Sequence, residues 1–160
     1  MDIWSAIEEL IHIVEIGTGS ADRNESRVVY LLDYLAVEMH GVNPDGGFDG
    51  VDIPENDYPT IRKAAEERFP NWGYYNTPKD VTENVAESEL LTGDAVDDIT
   101  DITDIVNDLK MVLWSYKNEN EISALWHLQD SYDGHWRWHM RRTNPCKEHS
   151  IGPTMRFLEI

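Results

Sequence analysis

The chain has 160 residues, and 31 acidic against 13 basic side chains give a formal charge of -18. That length suits one domain, residues 1–160, able to bury a core without staples, and the charge disfavours nucleic acid and anionic membranes as partners while favouring a cationic one. A single cysteine, Cys146, excludes an internal disulfide, no apolar leader precedes the first charged turn, and no apolar run approaches the roughly 20 residues that span a bilayer, so a cytoplasmic protein is expected.

The charge is unevenly spread. Residues 1–133 hold 29 acids and 8 bases, whereas residues 134–160 hold 2 acids and 5 bases. Excess acid also serves plain solubility, so composition alone does not choose between a solvated surface and a docking surface.

In chain order, Asp2 caps a first helix whose apolar residues Ile3, Ala6, Ile7, Leu10, Ile11 and Val14 recur at helical spacing, with Gly17 and Gly19 closing it. A second helix is predicted after Asn24, running through Val28, Leu31, Leu32, Leu35 and Met39 until Gly41. The Gly, Pro and Asp content of the stretch up to Asn56 reads as a surface loop. Asn56 or Asp57 then starts a short helix through Ile61 and Ala65 to Phe69, with Pro59 in its first turn and Pro70 ending it. Trp72, Tyr74 and Tyr75 form an aromatic knot suited to plugging a gap between helices. Residues 77 to 97 are polar and acidic, with room for a helical turn or short strand.

From Asp97 or Asp98 a long helix carries Ile99, Ile102, Ile105, Val106, Leu109 and Val112 as a buried stripe up to about Tyr116. A last helix follows Asn120, with Ile122, Leu125 and Leu128, and continues toward Trp138 unless Gly134 kinks or breaks it. The tail from Lys147 has apolar residues enough to dock on the body.

Asp97, Asp101, Asp104 and Asp108 are spaced four, three and four apart, which puts four carboxylates on one face of the long helix. Like charges at that spacing destabilise a helix, so the ladder breaks a local rule without an evident local gain beyond the N-terminal dipole. It is a solvated face, a surface for a basic partner, an internal clasp with Arg137, Arg141 and Arg142, or a source of metal ligands.

His135 and His139 have the four-residue spacing that brings two imidazoles to one metal ion. Trp136 stands where the metalloprotease motif has its general-base Glu, which rules that family out. With Asp104 and Asp108 the pair would make a His/carboxylate set suited to zinc, iron or manganese; as histidines flanked by tryptophans they also fit a hydrogen-bonded core. Asp45, Asp49 and Gly50 fall short of a calcium loop, since Gly47 and Asn56 stand at ligand positions. Cys146 and the serines lie in no nucleophile motif.

Three stretches taken together are similar to a bacterial family catalogued as domain of unknown function 5063. They are Phe69-Pro70 with Gly73-Tyr74-Tyr75, Asp101 to Lys110, and Ala124 to Trp126 leading to His135-Trp136 and His139. The resemblance covers roughly residues 25 to 142 and brings no activity. It implies that Asp101, Asp104, Asp108, His135 and His139 belong to the family's pattern and form one shared cluster, structural or functional; Asp97 sits at its edge.

The expected architecture is all-α, about five helices in an irregular bundle with long acidic loops, the second, fourth and fifth forming the central layer. The expected function is non-catalytic recognition of a basic protein partner through Asp97, Asp101, Asp104 and Asp108, in the manner of an immunity protein that inhibits a bacterial toxin or nuclease. The alternative is a zinc- or manganese-binding protein or metal-assisted hydrolase built on His135, His139, Asp104 and Asp108.

Overall fold

A computed structural model gives the three-dimensional structure, which describes residues 1–44, 52–73, 77–78, 90–91 and 97–137. The chain is all-α. Its helices are α1 (Ile3–Glu15), α2 (Ala21–Glu38), α3 (Tyr58–Arg68), α4 (Asp98–Asn118) and α5 (Glu121–Ser131). A 3-10 turn, Met39–Gly41, finishes α2, and a π-helical turn, Tyr132–Trp136, follows α5. Thr77–Pro78 pairs antiparallel with Leu90–Leu91. No helix among the described residues is long and apolar enough to cross a membrane.

Short polar side chains set the helix starts. Asp2, Ser20, Asp57, Asp97 and Asn120 each accept a backbone N–H three residues on, satisfying one of the donors a helix N-terminus leaves orphaned. The second helix therefore begins earlier than its apolar pattern suggests, because Ser20 caps it. Asn24 lies inside that helix, buried; it accepts from the Thr18 backbone N–H at 2.7 Å and donates to the Arg68 carbonyl at 3.2 Å. One amide thus ties the α1–α2 turn to the end of α3.

The central layer differs from the expected one. The hub is α4, which packs against α1, α3 and α5, whereas α2 packs chiefly on α1. The reason is visible in α1: Trp4, Ala6, Ile7, Leu10, Ile11, Ile13 and Val14 are all buried, so that helix is apolar nearly all round and belongs inside. In α2 the outward positions include Asp22, Arg23, Tyr30, Asp33 and Val37, which suits an outer helix. Trp72 does plug against the core, its ring stacked on Phe69 with centroids 4.4 Å apart. Tyr74, Tyr75, most of residues 77 to 96, the calcium-like loop at Asp45 to Gly50, Cys146 and the tail lie outside the described residues.

Past Leu128 the chain stays helical through Gly134 but widens by a residue. The Arg137 backbone N–H bonds to the Tyr132 carbonyl, five residues back. Two regular turns beyond Leu128, about seven residues, would bring His135 onto the core face. The wider turn gives that place to Trp136 instead, which is fully buried and donates its indole N–H to Ser131 Oγ at 3.1 Å.

Candidate functional site between α4 and the π-helical turn

The four aspartates do share one flank of α4, but that flank is not an exposed edge. Asp97 and Asp101 are only 4% and 2% exposed. Asp97 caps α4, accepting from the Thr100 backbone N–H at 2.8 Å and from its hydroxyl at 2.7 Å, and Arg62 Nη2 of α3 approaches it to 3.4 Å. Burial alone would raise the Asp97 carboxyl, yet the Thr100 hydrogen bonds and the Arg62 charge outweigh it and hold the group below the usual carboxylate range. Asp104 accepts the Tyr58 hydroxyl at 2.7 Å. Burial, with the Asp104 carboxylate beside it, lifts the Tyr58 phenol far above its ordinary range, so it acts as a neutral donor.

Recognition through all four aspartates needs an outward row of charge lacking cations within its own chain, and the burial of Asp97 and Asp101 and the approach of Arg62 correct that expectation. The cause is the hub position of α4, whose flank is covered by Tyr58 and Arg62, one turn apart on α3. Neither residue stood out in the sequence. Their shared helical face, opposite a long acidic helix, is the signal that could have found them.

The last step of the ladder meets a histidine. Asp108 Oδ2 lies 2.7 Å from His135 Nδ1, linking α4 to the π-helical turn. In a neutral ring this contact places the proton on Nδ1 and leaves Nε2 as the acceptor or ligand atom. The pair borders a cleft of about 360 Å³ that His127, Asp130, Ser131 and Gly134 also line. Burial lowers the His127 pKa, partly opposed by the charges of Glu119 and Asp130, so this imidazole is neutral at neutral pH. Ser131 Oγ donates to the Leu128 carbonyl at 3.2 Å while accepting from Trp136, a structural engagement rather than that of a nucleophile.

Of the metal-reading set, the structure brings Asp108 and His135 together and turns Asp104 toward Tyr58; His139 lies outside the described residues. Among the described residues, no three His, Cys, Asp or Glu side chains gather closely enough to hold a metal ion. Arg137 lies 3.4 Å from Asp133, one turn back, and Arg141 and Arg142 fall outside the described residues.

Neither the curated proteins nor the solved structures compared with this chain gave a match. A family model does match, over residues 27–141, more than half of the sequence, and it takes in α3, α4, α5 and the Asp108–His135 contact. The chain belongs to the family described as a domain of unknown function, DUF5063.

Proposed function

We propose that this chain is a non-catalytic module that recognises a basic protein partner, with immunity-type inhibition of a bacterial toxin or nuclease as its concrete form. The supporting observation is the balance of charge. The chain carries -18, and among the described residues its cations are largely taken up internally: Arg27 by Glu9, Arg62 by Asp97, Lys110 by Glu15 and Lys117 by Glu8. The outward field is therefore set by exposed acids such as Asp22, Asp52 and Glu55. A field of that sign steers a cationic partner inward and repels polyanions. Buried Asp97 and Asp101 contribute to the field without being touched, so contact with the whole ladder is not its mechanism.

The test is capture from lysate of the host at low salt, eluted by raising ionic strength and compared with an unrelated acidic protein of similar charge. A basic protein enriched on this chain alone is expected. Changing Asp22, Asp52 and Glu55 to Lys should then slow association about tenfold and leave dissociation nearly unchanged. Equal recovery on both acidic proteins would remove the reading.

A second reading is favoured by one contact, that of Asp108 with His135. A carboxylate on Nδ1 is how metal-ligating histidines are commonly oriented. On this reading His135 and His139 would be ligands to zinc or manganese, in a metal-binding protein or metal-assisted hydrolase. Elemental analysis of untagged protein decides it: stoichiometric metal lost in His135→Ala supports it, and substoichiometric metal with no thermal shift on adding zinc or manganese removes it.

A further inference from the structure

Among the described residues the exposed large apolar side chains are Met1, Ile16, Tyr30, Val37, Tyr116 and Ile122. Three of them gather at one end of the bundle, where α1 starts, α4 ends and α5 starts. Met1 and Ile122 are each 53% exposed and Tyr116 is 38% exposed. The joint is Trp4. Its ring stacks on Tyr116 with centroids 4.0 Å apart and planes 12° from parallel, and its indole N–H donates to Glu121 Oε1 at 3.2 Å, beside Ile122. Of the others, Tyr30 already has the Arg27 guanidinium 4.7 Å from its ring centroid, and Val37 lines a cleft with Gln129 and Tyr132.

The rim of this end is acidic. Asp2, Glu8 and Glu121 stand exposed around it, and among the described residues there the one cationic side chain, Lys117, is held by Glu8 at 2.7 Å. An aromatic and aliphatic centre inside a charged rim is the anatomy of a protein-docking surface. The outer face of Tyr116 suits a guanidinium laid over it, with Glu121 in reach of the same group. A second copy of this chain would bring the same acids against themselves at -18 each.

We propose that the Trp4–Tyr116–Ile122 end is where the basic partner docks, through an apolar cluster flanked by arginines. This rests on the recognition function proposed above and assigns its surface.

The test uses the full chain, labelled with nitrogen-15, and two helical peptides of equal charge: one with leucines on one face and arginines on the other, one with each leucine replaced by serine. The leucine peptide is expected to shift the Trp4 indole N–H and the amides of Tyr116 and Ile122, and to bind at least about fivefold more tightly than the serine peptide. Ile122→Asp discriminates, because it makes the chain more acidic. General electrostatic attraction would then tighten leucine-peptide binding, whereas docking on this end requires it to weaken about fivefold. Ile122 is exposed, so the variant's melting curve should match the parent's and report that the fold is intact. Binding to Ile122→Asp that is equal or tighter overturns the assignment, as does a dimer in sedimentation that Ile122→Asp dissolves, which would give the face to a second copy. Salt-sensitive binding whose shifts map away from Trp4 overturns this surface and leaves the recognition function standing. No salt-sensitive binding of either peptide removes both.

Discussion

His135 Nδ1 and Asp108 Oδ2, 2.7 Å apart, form a contact between side chains 27 positions apart in sequence that fastens the π-helical turn to the middle of α4. Removing the acceptor should loosen the turn before the core. Asp108→Ala is expected to cost about 1 kcal/mol, in line with one partly exposed hydrogen bond to a charged group. Amide exchange at Trp136 and Arg137 should quicken while exchange at Leu109 and Val112 stays slow. Unchanged protection at Arg137 would show that the turn is held by Trp136 alone.

The Asp98 carboxyl gives a pH signature. Burial first, then the charges of Asp101 and Asp97, push it up to about 6, against a hydrogen bond from the Gly73 backbone. A folded-state pKa above the unfolded one favours the native state below the unfolded pKa of about 3.9, and that advantage is lost as pH rises through about 6. Asp98→Asn removes the loss. It should stabilise the protein by about 1 kcal/mol at pH 7.5, allowing for the group's partial exposure, and have almost no effect near pH 4. Denaturant melts at the two pH values measure this; a variant less stable than the parent at pH 7.5 contradicts it.

Gly17 is held by geometry rather than preference. Its φ is +90°, and an added Cβ would come within 2.8 Å of Arg68 Cδ. Gly17→Ala should therefore cost about 1 to 3 kcal/mol, combining backbone strain with displacement of the Arg68 stem. Gly19 has a similar φ of +99° but open space around it, so Gly19→Ala should cost less. Equal losses in thermal melts would mean that the Arg68 contact adds nothing.

Trp136 is the largest fully buried side chain among the described residues. Trp136→Ala should cost about 3 to 5 kcal/mol, a large share of the 5 to 15 kcal/mol typical of a domain. Trp136→Phe keeps most of the volume and loses the bond to Ser131 Oγ, so a smaller loss is expected. Chemical denaturation of the two variants ranks the packing and hydrogen-bond contributions.

The helices were legible because their signals are local. Asp2, Asp57 and Asp97 begin helices by capping, and the Ile99 to Val112 stripe marks α4 without tertiary information. What surrounds a helix is not local. At about 100° per residue the aspartates lie roughly 110° round from the middle of the apolar stripe, a flank rather than the far side. Whether a flank meets water depends on how many neighbours the helix has. In α4 the other flank is covered too: Thr103 is buried and its hydroxyl bonds to the Ile99 carbonyl at 2.6 Å. The pairings of Tyr58 with Asp104 and Arg62 with Asp97 span 46 and 35 residues, beyond the reach of any periodicity. Spacing marks His135 and Asp108 on separate helices, and their meeting depends on a widened turn at which Gly134 only hints.

That widened turn makes chain length a determinant of side-chain placement. Deleting one residue between Tyr132 and Trp136 would restore ordinary pitch with the indole seven residues beyond Leu128, so Trp136 would keep its place inside. In this stretch a lost residue is absorbed by the pitch, whereas straightening the turn at full length would exchange the occupants of core and cleft together.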